Sequence, residues 1–194
     1  MGVAALFVTK DSHYKELPGV DAWDKDRNAL NWPGGDAVVA HPPCRAWASL
    51  RHCAKPEPGE KDLALWAVNQ IRLFGGVLEH PLRTTLWAEA GLPFCGDFDA
   101  WGGFSIVLDQ NWFGHRAQKR TRLYICGCSP KDVPPMPLKL GRATHTVGLW
   151  SGRDKLNCRP SISKKEFELS PVRFAEWLVA LAVVCGQKNK PLTE

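Results

Sequence analysis

The stretch DAVVAHPPCRAW, residues 36–47, opens as a run of small and β-branched apolar residues and stops on two prolines. Val38, Val39 and Ala40 read as a short strand buried on both faces, because no polar residue alternates with them. Pro42 and Pro43 lack the backbone N–H that a ladder needs, so the strand ends there. The chain then turns on a stiff segment that carries Cys44, Arg45 and Trp47. A strand of this kind belongs inside a sheet covered by helices, and the flanking sequence reads the same way.

Upstream, AALFV (4–8) reads as a second buried strand, and LPGVDAWDKDRNALNW (17–32) as a short strand followed by a weak helical turn. Downstream, residues 60–74 predict a helix with Leu63, Trp66, Ile71 and Phe74 near one face, ended by Gly75-Gly76. GVLEHP (76–81) is again a short strand stopped by proline, and TTLWAEAGL (84–92) a short helix. FSIVLDQNWFG (104–114) and RTRLYICG (120–127) are apolar strands joined by a basic turn, a closeness that suits an antiparallel pair. Residues 129–160 show no period and read as a loop-rich segment. Residues 171–184 predict a helix with the stripe Phe174, Trp177, Leu178 and Leu181 and with Pro171 near its start.

This order predicts an α/β fold with a mostly parallel sheet and an antiparallel strand pair. Residues 1–194 are long enough for one buried core and short for two, so a single domain is expected. Ligands of such sheets sit outside the carboxyl ends of the strands. Cys44 and Glu79 are both expected just past such ends, so they should face one crevice.

With 44% hydrophobic and 23% charged residues the composition is that of an ordinary globular protein, and a net charge of +5 permits a polyanionic partner. No run approaches the roughly 18 apolar residues of a membrane helix. The start MGVAALFVTKDSH lacks the charge and length of a signal peptide, so a soluble, cytoplasmic protein without a membrane partner is expected. Seven scattered cysteines, an odd number, argue for reduced thiols rather than a disulfide framework. His41, Cys44, His52, Cys53 and His80 are conceivable zinc ligands, but there is no Cys-x-x-Cys pair and their spacing demands no ion, so no metal site is assigned. Of the nine tryptophans, Trp47, Trp112 and Trp150 are candidate anchors for a host protein partner, although most should be core.

Pro42-Pro43-Cys44, then Glu79 in LEHP, then Gln118-x-Arg120-x-Arg122 in AQKRTRLYICG, together resemble the DNA (cytosine-C5) methyltransferases. That family carries a Pro-Cys loop, a Glu-Asn-Val segment and a Gln-x-Arg-x-Arg segment in this order. The resemblance spans about residues 17–127, with an echo of a returning C-terminal helix in LSPVRFAEWLVALA. The whole chain also resembles short phage and prophage proteins, which implies the host cytoplasm as its setting. The family resemblance implies a Rossmann-like class I methyltransferase-type sheet, here too short to carry a large target-recognition domain. It implies a transferase that acts on cytosine in DNA, with S-adenosylmethionine as cofactor.

The residue types suit that chemistry. C5 of cytosine is a poor nucleophile until a thiolate adds at C6, the role the resemblance gives Cys44. A neighbouring cation, Arg45 or Arg122, would help the thiol ionise. Glu79 would hold the N3 and amino edge, and Arg120 and Arg122 the carbonyl O2, a phosphate or Glu79 itself. The base would first have to swing out of the duplex. Gln118, Lys119 and Arg45 are candidates for DNA contact; His80 joins them, although it and His41 also read as local hydrogen-bonders. The bland readings are a buried thiol, a Glu79 salt bridge to Arg120 or Arg122, and a solvated basic turn.

For the cofactor, Trp23 would stack on the adenine and Asp21 or Asp24 would bind the ribose, since Ala22 precedes Trp23 where the family has a carboxylate. The family's glycine-rich turn after the first strand has no counterpart in AALFVTKDSHYKELPG. Arg45 stands where glutamine is usual, and His80-Pro81 where Asn-Val is usual. The alternative function is a non-catalytic phage DNA-binding, regulatory or anti-defence protein on a degenerate methyltransferase fold.

Overall fold

Six strands form one sheet in the order β2-β1-β3-β4-β6-β5 in a computed structural model describing residues 2–48, 51–139, 141–147 and 159–188. They are β1 (Val3–Leu6), β2 (Val20–Trp23), β3 (Ala37–Ala40), β4 (Gly76–Pro81), β5 (Phe104–Asp109) and β6 (Arg120–Cys126). The first four pair in parallel, whereas β6 runs antiparallel to both of its neighbours, β4 and β5. Hence β5 points the same way as β1 to β4, and their carboxyl ends share one edge. The mostly parallel α/β sheet expected from sequence is present, and β5 and β6 do pair antiparallel.

Each face of the sheet carries a helix. Helix α1 (Glu60–Phe74) covers Ala4, Leu6, Val38, Ala40, Leu78 and Tyr124; helix α4 (Val172–Lys188) covers the alternate residues Val3, Ala5, Val39, Val77 and Leu123. Every residue of β3 is at most 2% exposed, which accounts for its unbroken apolar sequence. The α4 stripe Phe174, Trp177, Leu178 and Leu181 is sealed as expected. Residues Lys164–Gln187 are long and apolar enough to cross a membrane by composition, but this apolar stripe faces the sheet.

On α1 the expectation needs correcting. The face against the sheet is Ala64, Ala67, Val68 and Ile71, while Leu63, Trp66 and Phe74 flank it half-buried. Two alanines let the helix axis approach the strands, and the bulky rings close the margins, Trp66 on Phe7 and Phe74 on Trp32. The turn into β4 requires glycine. A Cβ on Gly76, at φ +140°, would lie 2.0 Å from the Val38 carbonyl oxygen.

Two shorter helices complete the description, α2 (Leu86–Glu89) and α3 (Lys164–Glu168). Helix α3, capped by Ser163, has no counterpart in the sequence reading. Residues 129–160 are loop-rich where described, with a single-turn 3₁₀ helix at Pro130–Asp132 and isolated bridges at His145 and Thr146. Trp150 lies outside the described residues.

Candidate functional site

Strand alternation decides what meets at the carboxyl edge. Ala40 faces α1, so His41 after it turns toward α4, anchored by its backbone N–H to the Leu6 carbonyl at 3.0 Å. The two prolines then carry the chain to Cys44, whose carbonyl accepts from the N–H groups of Trp47 and Ala48. Fully buried Trp47 wedges beneath this turn and fixes it.

On β4, Glu79 shares the α4 side with Val77, and Thr121 and Leu123 of β6 share it too. Glu79 is 8% exposed. Its carboxylate accepts from Gln110 Nε2 at 2.9 Å and Thr121 Oγ1 at 3.1 Å, and it meets His41 Nδ1 at 3.3 Å. His41 Nε2 in turn lies 2.9 Å from the hydroxyl of buried Tyr14. Gln110 Nε2 also reaches Thr121 Oγ1 at 3.0 Å, which closes the network.

Burial pushes the Glu79 carboxyl up. The His41 hydrogen bond, the charge of Lys119 and the two histidines outweigh this and hold it down at about 2. Glu79 is therefore an anion at neutral pH. Burial and then the Glu79 charge push the Cys44 thiol up, with Lys119 a smaller opposing influence. Burial lowers the Lys119 ammonium, while Glu79 and Cys44 favour its charge. A thiol held neutral beside a buried carboxylate and a half-buried amine is the chemistry on this edge.

Cys44, Glu79 and Lys119 thus lie within electrostatic reach at one edge. Arg45 also lies within electrostatic reach of Cys44, but its guanidinium is taken by a two-pronged pair with buried Glu60 at the start of α1. Arg122 faces the α1 side, hydrogen-bonded to the Leu92 and Pro93 carbonyls and set over Trp87 and Phe94. Neither Arg120, exposed opposite Asp109, nor Arg122 pairs with Glu79, so the expected salt bridge is replaced by His41, Gln110 and Thr121. Gln118 is exposed. His80, fully buried on the α1 side, meets Thr84 Oγ1 at 2.9 Å and the edge of Trp87, and burial lowers it to about 4. His52 and Cys53 are exposed on a separate turn, and no cluster of three potential metal ligands occurs among the described residues.

Tyr14, Gln110 and Thr121 were not singled out from sequence. A two-residue period was the available signal, since Lys119 and Thr121 alternate with Gln118, Arg120 and Arg122 along β6. Which set faces the site depends on the pairing of His80 with Arg122 and Glu79 with Leu123, which the sequence does not supply.

The carboxyl ends of β1 and β2 are already occupied by the protein's own groups. Phe7 follows β1 at φ 60° and packs on Trp66; Tyr14 fills the space beside His41. Asp21 accepts from Trp23 Nε1 and Arg27, and the Arg27 guanidinium lies 3.9 Å above the Trp23 ring. Asp24 is paired with Lys15 and accepts from the Asp26 and Arg27 N–H groups. As arranged, Trp23, Asp21 and Asp24 do not fit an adenosyl group, for the ring face is covered and both carboxylates are engaged. Comparisons with protein-family models, curated proteins and solved structures return no match.

Proposed function

We propose that the chain is a DNA-acting, pyrimidine-directed protein of cytosine-C5 methyltransferase type, with Cys44 as its nucleophile on a flipped base. The observation that carries the reading is the approach of Cys44, Glu79 and Lys119 at one carboxyl edge, delivered by β3, β4 and the turn before β6. The strand order supports it, since a single antiparallel strand inserted between the last two like-directed strands is the arrangement expected of a Rossmann-like methyltransferase sheet.

Ionised Glu79 accepts a hydrogen bond from the amino group of a cytosine. As the base enters, the Cys44 proton passes to the Lys119 amine, which burial biases toward its neutral form. The sulfur bonds to C6, the C5–C6 π pair moves to C5, and C5 takes a proton. The net result is reversible addition of S–H across C5–C6. S-adenosylmethionine, the donor the family resemblance implies, would supply a methyl group in place of that proton. The residues at β1 and β2 do not fit it, so no step is derived through it.

The test is a duplex containing 5-fluorocytosine, incubated with the protein and with Cys44→Ser, each with and without S-adenosylmethionine. A denaturation-resistant adduct, or exchange of the C5 hydrogen of a cytosine duplex with water, seen with the native protein and not with Cys44→Ser supports the proposal; duplex binding with neither overturns it.

A second reading, the non-catalytic DNA-binding or anti-defence protein, is favoured by the engaged Asp21 and Asp24 and by the raised Cys44 thiol. It expects salt-sensitive duplex binding that Cys44→Ser leaves unchanged.

A further inference from the structure

Away from Cys44, the turn that joins β5 to β6 carries a second built feature. It faces Lys139 and the segment 141–146, and the two sides are pinned together by backbone bonds. Lys139 N–H donates to the Trp112 carbonyl at 2.6 Å, and the N–H groups of Thr144 and His145 donate to the Arg116 carbonyl at 2.9 and 3.0 Å. Between them lies a cleft of about 160 Å³, lined among others by Asn111, His115, Arg116, Lys139, Arg142 and Thr144.

Among the described residues no carboxylate lines this cleft, and three of its side chains are cations. Arg116 is paired on its outer side with Glu166 of α3. Lys139 and Arg142 have no carboxylate partner among the described residues, and both are exposed. His115 is 6% exposed, and its Nε2 has no hydrogen-bond partner among the described residues, while Nδ1 is held by the Ala117 backbone. With Nδ1 accepting from the Ala117 N–H, the ring proton sits on Nε2, and a buried ring N–H without an acceptor is costly in a folded chain. Asn111 Nδ2 is tied to the His115 carbonyl at 2.6 Å, which stiffens the wall.

We infer that this cleft binds a phosphate group. Two Arg and one Lys side chain lining one cleft suit a compact tetrahedral oxyanion, which takes hydrogen bonds and charge together. The cleft lies at the carboxyl end of β5, so it shares the sheet edge with Cys44 and Glu79. A nucleic-acid strand whose base enters the Cys44 crevice would lay its backbone along this edge, and the cleft takes one of its phosphodiesters. This placement of the strand rests on the proposed function; the phosphate chemistry itself does not.

The experiment uses the full chain and a fluorescent duplex, read by anisotropy across a salt series, with inorganic phosphate titrated separately by calorimetry. Lys139→Gln with Arg142→Gln removes the two unpaired cations. Lys10→Gln with Lys164→Gln removes the same charge at exposed positions elsewhere. The cleft variant should bind duplex ~10- to 100-fold more weakly, with a salt slope shallower by about two, and lose the phosphate heat. The control pair should change affinity less than about threefold. Equal losses in both pairs would reduce the effect to net charge and overturn the inference, as would duplex and phosphate binding that the cleft variant leaves intact. Phosphate heat lost in the cleft variant with duplex binding unchanged would uphold the phosphate site and assign it to a free phosphate or mononucleotide. Adduct formation at Cys44 under saturating duplex is read on the same variants, so failure of the cleft leaves the Cys44 reading standing, and the reverse.

Discussion

Replacing Glu79 with glutamine keeps the shape of the side chain and removes its charge. In the folded protein the carboxyl sits at about 2 against 4.5 for a free glutamate. The difference of roughly 2.5 on the pH scale, at about 1.4 kcal/mol for each, makes the ionised form about 3.5 kcal/mol more favourable in the folded than in the unfolded chain. Because the folded value is depressed, this stability is fully present above the unfolded value and is lost as pH falls through the folded one. Glu79→Gln should therefore lower the unfolding free energy by about 3.5 kcal/mol at pH 7, a large share of the roughly 5–15 kcal/mol typical of a domain. At pH 3 the unfolded carboxyl is protonated while the folded one is mostly ionised, and the gap between the two proteins should shrink to about 1.5 kcal/mol. Urea unfolding at pH 7, 5 and 3, followed by far-ultraviolet circular dichroism, measures it. The gap should stay flat from pH 7 to about 5.5 and narrow below. A gap that does not vary with pH, or one under about 1 kcal/mol at pH 7, would refute the view that His41 and Lys119 hold Glu79 as a stabilised anion.

The same charge opposes ionisation of Cys44, so Glu79→Gln should speed iodoacetamide alkylation of Cys44 several-fold near neutral pH, as mass spectrometry of that residue would show; an unchanged rate would separate the two groups. Arg122→Met breaks two hydrogen bonds to carbonyls and the contacts with Trp87 and Phe94, and should cost about 2–4 kcal/mol in urea unfolding. Duplex affinity of the folded Arg122 variant should change less than about threefold, whereas a large loss would return Arg122 to the DNA-contacting set. Gly76→Ala forces a Cβ against the Val38 backbone and should destabilise by at least about 3 kcal/mol, or prevent folding, while Gly91→Ala, with nothing near its Cβ, should express as a folded protein.

The sheet was readable because its strands are short apolar runs punctuated by proline or glycine, and β3, β4 and β6 emerged nearly at their expected bounds. Helix α1 was readable in extent and not in facing, since alanines carry a weak hydrophobic signal and the rings at its margins a strong one. At the site, Cys44 and Glu79 could be placed from chain order alone, because each closes a parallel strand. The basic run could not. Its two alternating sets are equally polar, and only cross-strand register decides that Lys119 and Thr121 face Glu79 while Arg122 is spent on the Leu92–Pro93 loop. Tyr14 was invisible for a different reason: it reaches His41 from a 3₁₀ turn 27 residues away in sequence, a distance over which no periodicity runs.

Strand β6 is the last of the six to be made, yet it sits inside the sheet, between β4 and β5. On a growing chain, β4 can add to β3 as soon as residue 81 is available, and its outer edge then has no partner until residues 120–126 emerge. Among the described residues, β5 has no strand neighbour in the sheet except β6. Pairing β5 with β6 closes the shorter loop, residues 110–119, whereas pairing β6 with β4 closes residues 82–119, so the local hairpin carries the smaller entropic cost. Until β6 pairs with β4, Val77 and Leu78 lie along an unpaired apolar edge, so a chain stalled before Cys126 is the species most prone to join another copy of itself.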